Sequence, residues 1–154
     1  MKKLLLIVFV LTSISCFSQR NRFRNMVERN GQIGIGTTAP DELLTVKGKI
    51  HTQEVLVDLE GAVAPDYVFE HYFFGKSRLN ETYVRPTLAE LEAYLEINHH
   101  LPGIPSAENM QQEGISLKEL NLKLLEKIEE LTLYTLEQQK EIDALKQRLI
   151  QLEE

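Results

Sequence analysis

The last quarter of the chain carries a seven-residue repeat of apolar side chains that persists over five heptads. This spacing predicts one long helix with a coiled-coil seam, because positions a and d of a heptad fall on the same stripe of a helix. A helix over residues 117–152 is about 54 Å long, too long to be buried against the rest of so small a chain. We therefore predict that the helix associates with copies of itself. The seam comprises Leu117, Asn121, Leu124, Ile128, Leu131, Thr135, Gln138, Ile142, Leu145, Leu149 and Leu152.

Three positions of the seam are polar: Asn121, Thr135 and Gln138. Polar residues at such positions fix register and oligomer number at a cost in stability. The alternative is a polar layer that holds an ion. Outside the seam, further leucines make the first half of the helix apolar nearly all round, so we predict that other parts of the protein cover it. These leucines are Leu120, Leu122, Leu125, Leu133 and Leu136.

The number of chains is open to two interpretations. Isoleucine at a with leucine at d, together with a buried asparagine such as Asn121, favours a parallel dimer. Against it, only Ile128 and Ile142 are β-branched apolar residues at a, and Leu149 weakens the pattern. The apolar side chains outside the seam also need more neighbouring helices to bury them than a dimer provides. We predict a parallel homotrimer, with the dimer as the second choice.

The N-terminus has the pattern of a secretory signal peptide. Lys2 and Lys3 precede an apolar run over residues 4–11, which is too short to span a bilayer stably, and small polar residues follow. Cleavage after Ser18 is the first interpretation, and cleavage before Cys16 with lipidation is the alternative. With the first, the mature chain has no cysteine, so an exported protein gets no stabilisation from disulfides.

Charge limits the partners of the mature chain. Without residues 1–18 it carries 15 basic and 23 acidic residues, a net charge of −8, which argues against nucleic acid or an anionic membrane as partner. Arg20, Arg22, Arg24 and Arg29 crowd a polar segment without apolar periodicity. We predict a basic, flexible linker over residues 19–30; a surface-binding arm is the alternative.

Residues 31–60 are predicted to be rich in β-structure. Apolar residues alternate with glycine over 31–36, and glycine at such positions favours close approach of another backbone or an unusual φ. Alternation over 44–50 and 55–59 predicts two or three short strands. So small a sheet with one apolar face is marginal in a single chain, and threefold association would cover it.

Residues 61–115 are predicted to form small helices and loops. The aromatic residues bunched in 64–74 are predicted to fill a core, with a sugar-stacking platform as the alternative. Thr87 with Glu90, and Ser116 with Glu119, are capping boxes that open helices. Between them, Ser106 caps a short helix over 107–113 that Gly114 closes. The paired histidines at 99 and 100 lack a convergent third ligand, so no metal site is predicted.

Residues 34–40 and 44–50 resemble a repeat of tail-fibre-like and adhesin-like exported proteins of the Bacteroidetes. Residues 65–70, 100–107 and 125–131 together resemble a C-terminal domain similar to the endosialidase-type intramolecular chaperone domain. This resemblance implies a trimer with chaperone helices packed around a central coiled coil. Proteolytic members of that family cut themselves at a serine helped by a lysine just after the last strand, but residues 57–60 contain neither.

These observations predict an elongated α+β chain with five parts. They are a signal peptide (1–18), a basic linker (19–30), a β-rich fibre-type repeat (31–60), a chaperone-like segment (61–115) and a parallel coiled coil (116–154). The predicted function is that of an exported, structural trimerisation domain of a surface protein. The alternatives are a self-cleaving serine endopeptidase and a surface glycan-binding module. The expected partners are further copies of the chain and a surface or fibre component; no cofactor or catalytic residue is predicted.

Overall fold

The computed structural model describes residues 23–153, so the predicted signal peptide lies outside the described residues. These residues form three strands, followed by four helices. The mixed α+β content, with a small three-stranded sheet and a long C-terminal helix, agrees with the α+β part of the predicted fold class. The chain divides into two compact units between Val55 and Leu56. The strands are β1 (Met26–Arg29), β2 (Gln32–Ile35) and β3 (Leu44–Val46), and the helices are α1 (Tyr67–Phe74), α2 (Leu88–Asn98), α3 (Ala107–Glu113) and α4 (Leu117–Glu153).

The described part of the first unit contains a hairpin in which β1 pairs antiparallel with β2 and Arg29 lies opposite Gln32. The turn consists of Asn30 (φ 53°) and Gly31 (φ 81°), both in the left-handed conformation that two-residue turns of this kind require. The predicted linker over 19–30 is therefore wrong for Met26–Arg29. The Asn-Gly pair, a strong hairpin signal, outweighs the basic residues around it.

β2 also pairs in parallel with β3, which sets Ile33 beside Leu44 and Ile35 beside Val46. The glycines of β2 and its end are required by close contacts. A Cβ atom on Gly34 would lie 2.6 Å from the carbonyl oxygen of Thr37, and Gly36 has a φ of 73°. The predicted reasons for these glycines, close approach and an unusual φ, are thus both confirmed.

Two of the strand predictions need correction. The strand predicted over 44–50 is limited to Leu44–Val46, and residues 55–59 form no strand in the described part of the chain. Alternation alone predicts which residues can pair, whereas a strand also needs a neighbour that supplies hydrogen bonds. The sheet leaves Ile33 and Leu44 exposed on its apolar face.

In the second unit, local capping signals fix where the helices begin. The side chain of Thr87 accepts a hydrogen bond from the Glu90 amide (3.2 Å), and the Glu90 carboxylate accepts one from the Thr87 amide (2.8 Å). The caps at Ser106 and Gly114 also lie where they were predicted. At α4, the Ser116 hydroxyl accepts from the Glu119 amide at 3.4 Å, but the reciprocal bond is absent among the described residues, so only half of that predicted box forms.

The core of the second unit lies between α1 and α4. Tyr67 and Val68 of α1 pack on Leu133 of α4, and the partly buried Phe69, Tyr72 and Tyr83 surround them. The prediction that residues 64–74 fill a core is thus confirmed in part. It is wrong for Phe73 and Phe74, which are exposed, because an eight-residue helix can turn only one face toward its neighbour.

Candidate oligomerisation surface on the C-terminal helix

α4 is a continuous helix of 37 residues, which corresponds to a length of about 55 Å. It contains neither glycine nor proline, the two residues that most destabilise a helix interior. The sequence prediction of one long helix is confirmed. The prediction that this helix forms a coiled coil with further copies of the chain stays a prediction, because the structure contains a single chain.

The eleven seam residues share one property: every one of them is exposed in the single chain. Leu131 retains 63% of its accessible surface, and Leu117, Ile128 and Leu149 are similarly open. Because the seam occupies one stripe of the helix, these side chains form an exposed and mainly apolar stripe along α4, interrupted at Asn121, Thr135 and Gln138. Nothing between residues 23 and 153 covers it.

The polar members of the seam differ in their hydrogen bonding. The Thr135 hydroxyl donates to the Leu131 carbonyl at 2.9 Å, so this group is satisfied within its own helix and needs no partner in an apolar interface. The side chains of Asn121 and Gln138 make no hydrogen bond within the described residues. They remain the positions at which a neighbouring chain can supply a polar partner.

The opposite face of α4, here named the covered face, is packed against the rest of the second unit. Leu133 has no exposed surface, and the Tyr134 hydroxyl donates to the carbonyl of Pro86. The predicted covering of the first half of the helix is confirmed for Leu133 and partly for Leu120 and Leu122. It is wrong for Leu125 and Leu136, which are exposed because they flank the stripe that the upstream residues contact.

Buried charges line the covered face, and tyrosines from upstream pair with them. The Tyr67 hydroxyl donates to Glu126, and the Tyr83 hydroxyl donates to Glu130 at 2.9 Å. Lys127 bridges the two carboxylates, with its ammonium 2.9 Å from Glu126 and 3.0 Å from Glu130. Burial raises the pKa of Glu126, but the hydrogen bonds from Tyr67 and Lys127 outweigh burial and hold it below its ordinary value.

Arg85 fastens the loop after α1 to the same face. Its guanidinium lies 4.6 Å from the ring centre of Tyr134 and 5.6 Å from that of Tyr72, and it donates to Glu137 at 2.6 Å. These contacts combine a cation–π arrangement with a charge-assisted hydrogen bond. Sequence reasoning missed this cluster. The available signal was the placement of acidic residues among the leucines of a helix half that had to be covered.

Glu129 is the one carboxylate of the covered face without compensation. Its side chain is 5% exposed, and its Oε2 atom has no hydrogen-bond partner among the described residues. Burial, followed by the negative charges of Asp66 and Glu126, raises the pKa of Glu129 to about 7. Lys127, the nearest cation in sequence, is already engaged by Glu126 and Glu130.

This arrangement predicts that Glu129→Gln flattens the pH dependence of stability. With a folded-state pKa near 7 and an ordinary value of 4.5, Glu129 binds more protons in the folded than in the unfolded protein between these pH values. The free energy of unfolding of the parent chain should therefore fall as pH rises from about 4.5 to 7, by about 1–3 kcal/mol. The glutamine variant should lack this loss. Urea denaturation at several pH values measures both; identical slopes would contradict the prediction.

Other candidate ligands are not gathered into a site. Among residues 23–153, no group of three or more histidine, cysteine, aspartate or glutamate side chains is placed to hold a metal ion. His99 ends α2 with a φ of 56°, and the ring of His100 stacks edge-on at 5.8 Å from that of Tyr94. None of the described helices combines the length and the apolar character needed to cross a membrane.

Comparison with known proteins adds no identification, since no family model, curated protein or solved structure matches this chain. The resemblance to fibre-type repeats and chaperone domains therefore stays a prediction.

Proposed function

We propose that this protein is a structural oligomerisation domain, whose C-terminal helix joins three copies of the chain in a parallel coiled coil. The observation that carries the proposal is the division of α4 into two faces. The covered face is packed and hydrogen-bonded within the chain, whereas all eleven seam residues are exposed. A helix with this division uses one face to hold its own chain together and has the other available for copies.

The physical gain from closing the seam is large. Burying one leucine or isoleucine side chain that was exposed contributes about 1.5–3 kcal/mol, and eight seam residues are of these two kinds. Contiguous apolar patches on monomeric proteins are usually small, and larger ones mark interaction sites. Association through the seam therefore supports a stable oligomer, after the cost of bringing the chains together has been met.

We propose three chains and not two, although the single chain already covers part of the apolar surface that favours a third helix. Leu133, counted at first as apolar surface that asks for a neighbour, is already covered by Tyr67 and Val68. What supports three chains is Leu149 at an a position, the exposed Leu125 beside the seam, and the resemblance to trimeric chaperone domains. Asn121 is the feature that favours two.

Sedimentation equilibrium of the purified chain tests the proposal. We expect a mass three times that of the 17.7 kDa chain, or of the mature chain if residues 1–18 are removed. A monomer at micromolar concentration would reject the proposed function. A mass of two chains would keep the seam as the interface and correct the number.

The proposal places the oligomer outside the cytoplasm, on the basis of the signal-peptide pattern in residues 1–18. The trimer would then belong to a surface or fibre component and would set the number of chains in it. N-terminal sequencing of the protein from its source should find Gln19 first. Finding Met1 on a cytoplasmic protein would remove this part of the proposal and leave the oligomer untouched.

The proposed role is structural and includes no peptide-bond cleavage. Self-cleavage by a serine–lysine pair needs a hydroxyl beside an amine of lowered pKa. Residues 57–60 read Val-Asp-Leu-Glu and provide neither group.

A further inference from the structure

Residues 56–59 have the side chains of a strand but no partner strand. The segment is Leu-Val-Asp-Leu, and Leu56 retains 91% of its accessible surface while Val57 and Leu59 are also exposed. It belongs to no strand or helix of the described chain. Apolar and β-branched residues in such a row are typical of a paired strand.

The backbone of this segment is equally unpaired. The amide groups of residues 56–59 donate no hydrogen bond to any atom within residues 23–153. The carbonyl of Leu59 is the exception on the acceptor side, since it accepts from the Ala62 amide at 2.9 Å. A row of free donors beside exposed apolar side chains is what a strand edge offers to another chain.

The position of the segment says which chain would pair with it. The Lys118 ammonium group lies 3.4 Å from the Leu59 carbonyl, and Lys118 directly follows Leu117, the first residue of the seam. The segment therefore lies beside the N-terminal end of the proposed interface. In a parallel assembly, equivalent ends of the helices meet, so the copies of residues 56–59 are brought together at that end.

We infer that residues 56–59 become a strand only in the oligomer, by pairing with the same segment of neighbouring copies. This inference rests on the proposed function and deepens it. The expected partner strand is residues 56–59 of a second copy, because association through the seam brings the two copies of this segment close together. In a strand, Val57 and Leu59 share one face, and Leu56 and Asp58 share the other. The pairing can therefore bury Val57 and Leu59 and leave the carboxylates in solvent.

Hydrogen exchange of the intact oligomer tests the inference. We expect the amides of 56–59 to exchange at least tenfold more slowly in the oligomer than in chains dissociated by Leu131→Asp. If the mass shows an oligomer but these amides exchange equally fast in both, the inference is overturned while the proposed function stands. If the chain sediments as a monomer, the proposed function is rejected, and the inference is rejected with it.

Matched cysteine variants separate ordered pairing from mere crowding. In a chain carrying Cys16→Ser, we expect Val57→Cys to form a disulfide-linked dimer under mild oxidation, because paired strands bring inward-facing Cβ atoms within bonding range. Asp58→Cys is expected to link as well, because in a parallel pair in register each residue lies beside its own copy on either face. Leu136→Cys, outside both the segment and the seam, is the control that is expected to stay unlinked. Cross-linking of the control as readily as of Val57→Cys, or no cross-linking of Val57→Cys, would contradict the pairing.

Discussion

Leu131→Asp is expected to convert the oligomer into single chains. Leu131 lies at the middle of the seam, is 63% exposed in the chain by itself, and has no role in the packing of the covered face. In a parallel trimer, three carboxylates would meet at one layer of the interface without partners. Burying one unpaired charge costs several kcal/mol, so three in one layer outweigh the gain from the neighbouring leucines.

Leu136→Asp is the matched control for this prediction. Leu136 is also exposed in the single chain, at 46%, and lies five residues further along the same helix but outside the seam. The control should keep the parent mass in sedimentation equilibrium, and both variants should keep their helical circular dichroism. A Leu131→Asp variant of unchanged mass, or a control that dissociates as readily, would reject the assigned interface.

The features that the sequence predicted well are those with a local cause. The long helix follows from a period that repeats in every heptad and from the lack of residues that break helices. The starts of α2 and α3 follow from Thr87 and Ser106, whose side chains bond to amides three residues away. Such signals need no knowledge of the rest of the fold.

The features that the sequence did not predict depend on distant residues. The contact of Tyr67 with Glu126 joins positions 59 residues apart, and that of Arg85 with Glu137 joins positions 52 apart. From periodicity alone, Glu126 and Glu130 are solvated charges on the outside of a coiled coil. Lys127 is a local partner on the same helix, but only the folded chain brings Tyr67 and Tyr83 to these carboxylates. Together these hydrogen bonds and ion pairs offset the cost of burying them.

The β segment shows the same limit in the opposite direction. Residues 55–59 alternate as a strand should, yet they form none in the single chain, while Met26–Arg29 form one without obvious alternation. In the second case, the Asn30-Gly31 turn brings the neighbour into place. In the first, no neighbour exists within the described chain, which is why a second copy is the inferred partner.

The two faces of α4 have separate roles, one within the chain and one between chains. The covered face fixes α1 and the loop after it against the helix, and the seam is left continuous because no upstream side chain crosses it. If the two faces work independently, damage to one should leave the other intact. The Leu131 variant tests this from the side of the seam, and Leu133 allows the test from the other side.

Leu133→Ala is expected to loosen α1 from α4 without dissociating the oligomer. Leu133 is fully buried between Tyr67 and Val68, so its truncation leaves a cavity that the surrounding rings cannot fill. Leucine-to-alanine changes at such sites cost about 3 kcal/mol in the free energy of unfolding. Urea denaturation at one fixed protein concentration measures the loss, because the stability of an oligomer depends on concentration.

Leu136→Ala provides the comparison for this variant. The same chemical change three residues along removes a side chain that is exposed at 46% and lies outside the buried cluster, so the free energy of unfolding should fall by clearly less than for Leu133→Ala, by about 1 kcal/mol or less. Both alanine variants should keep the parent mass in sedimentation equilibrium, because neither residue belongs to the seam. If Leu133→Ala dissociates while its helical circular dichroism is unchanged, the covered face takes part in holding the chains together. That result would contradict the division of α4 into two independent faces.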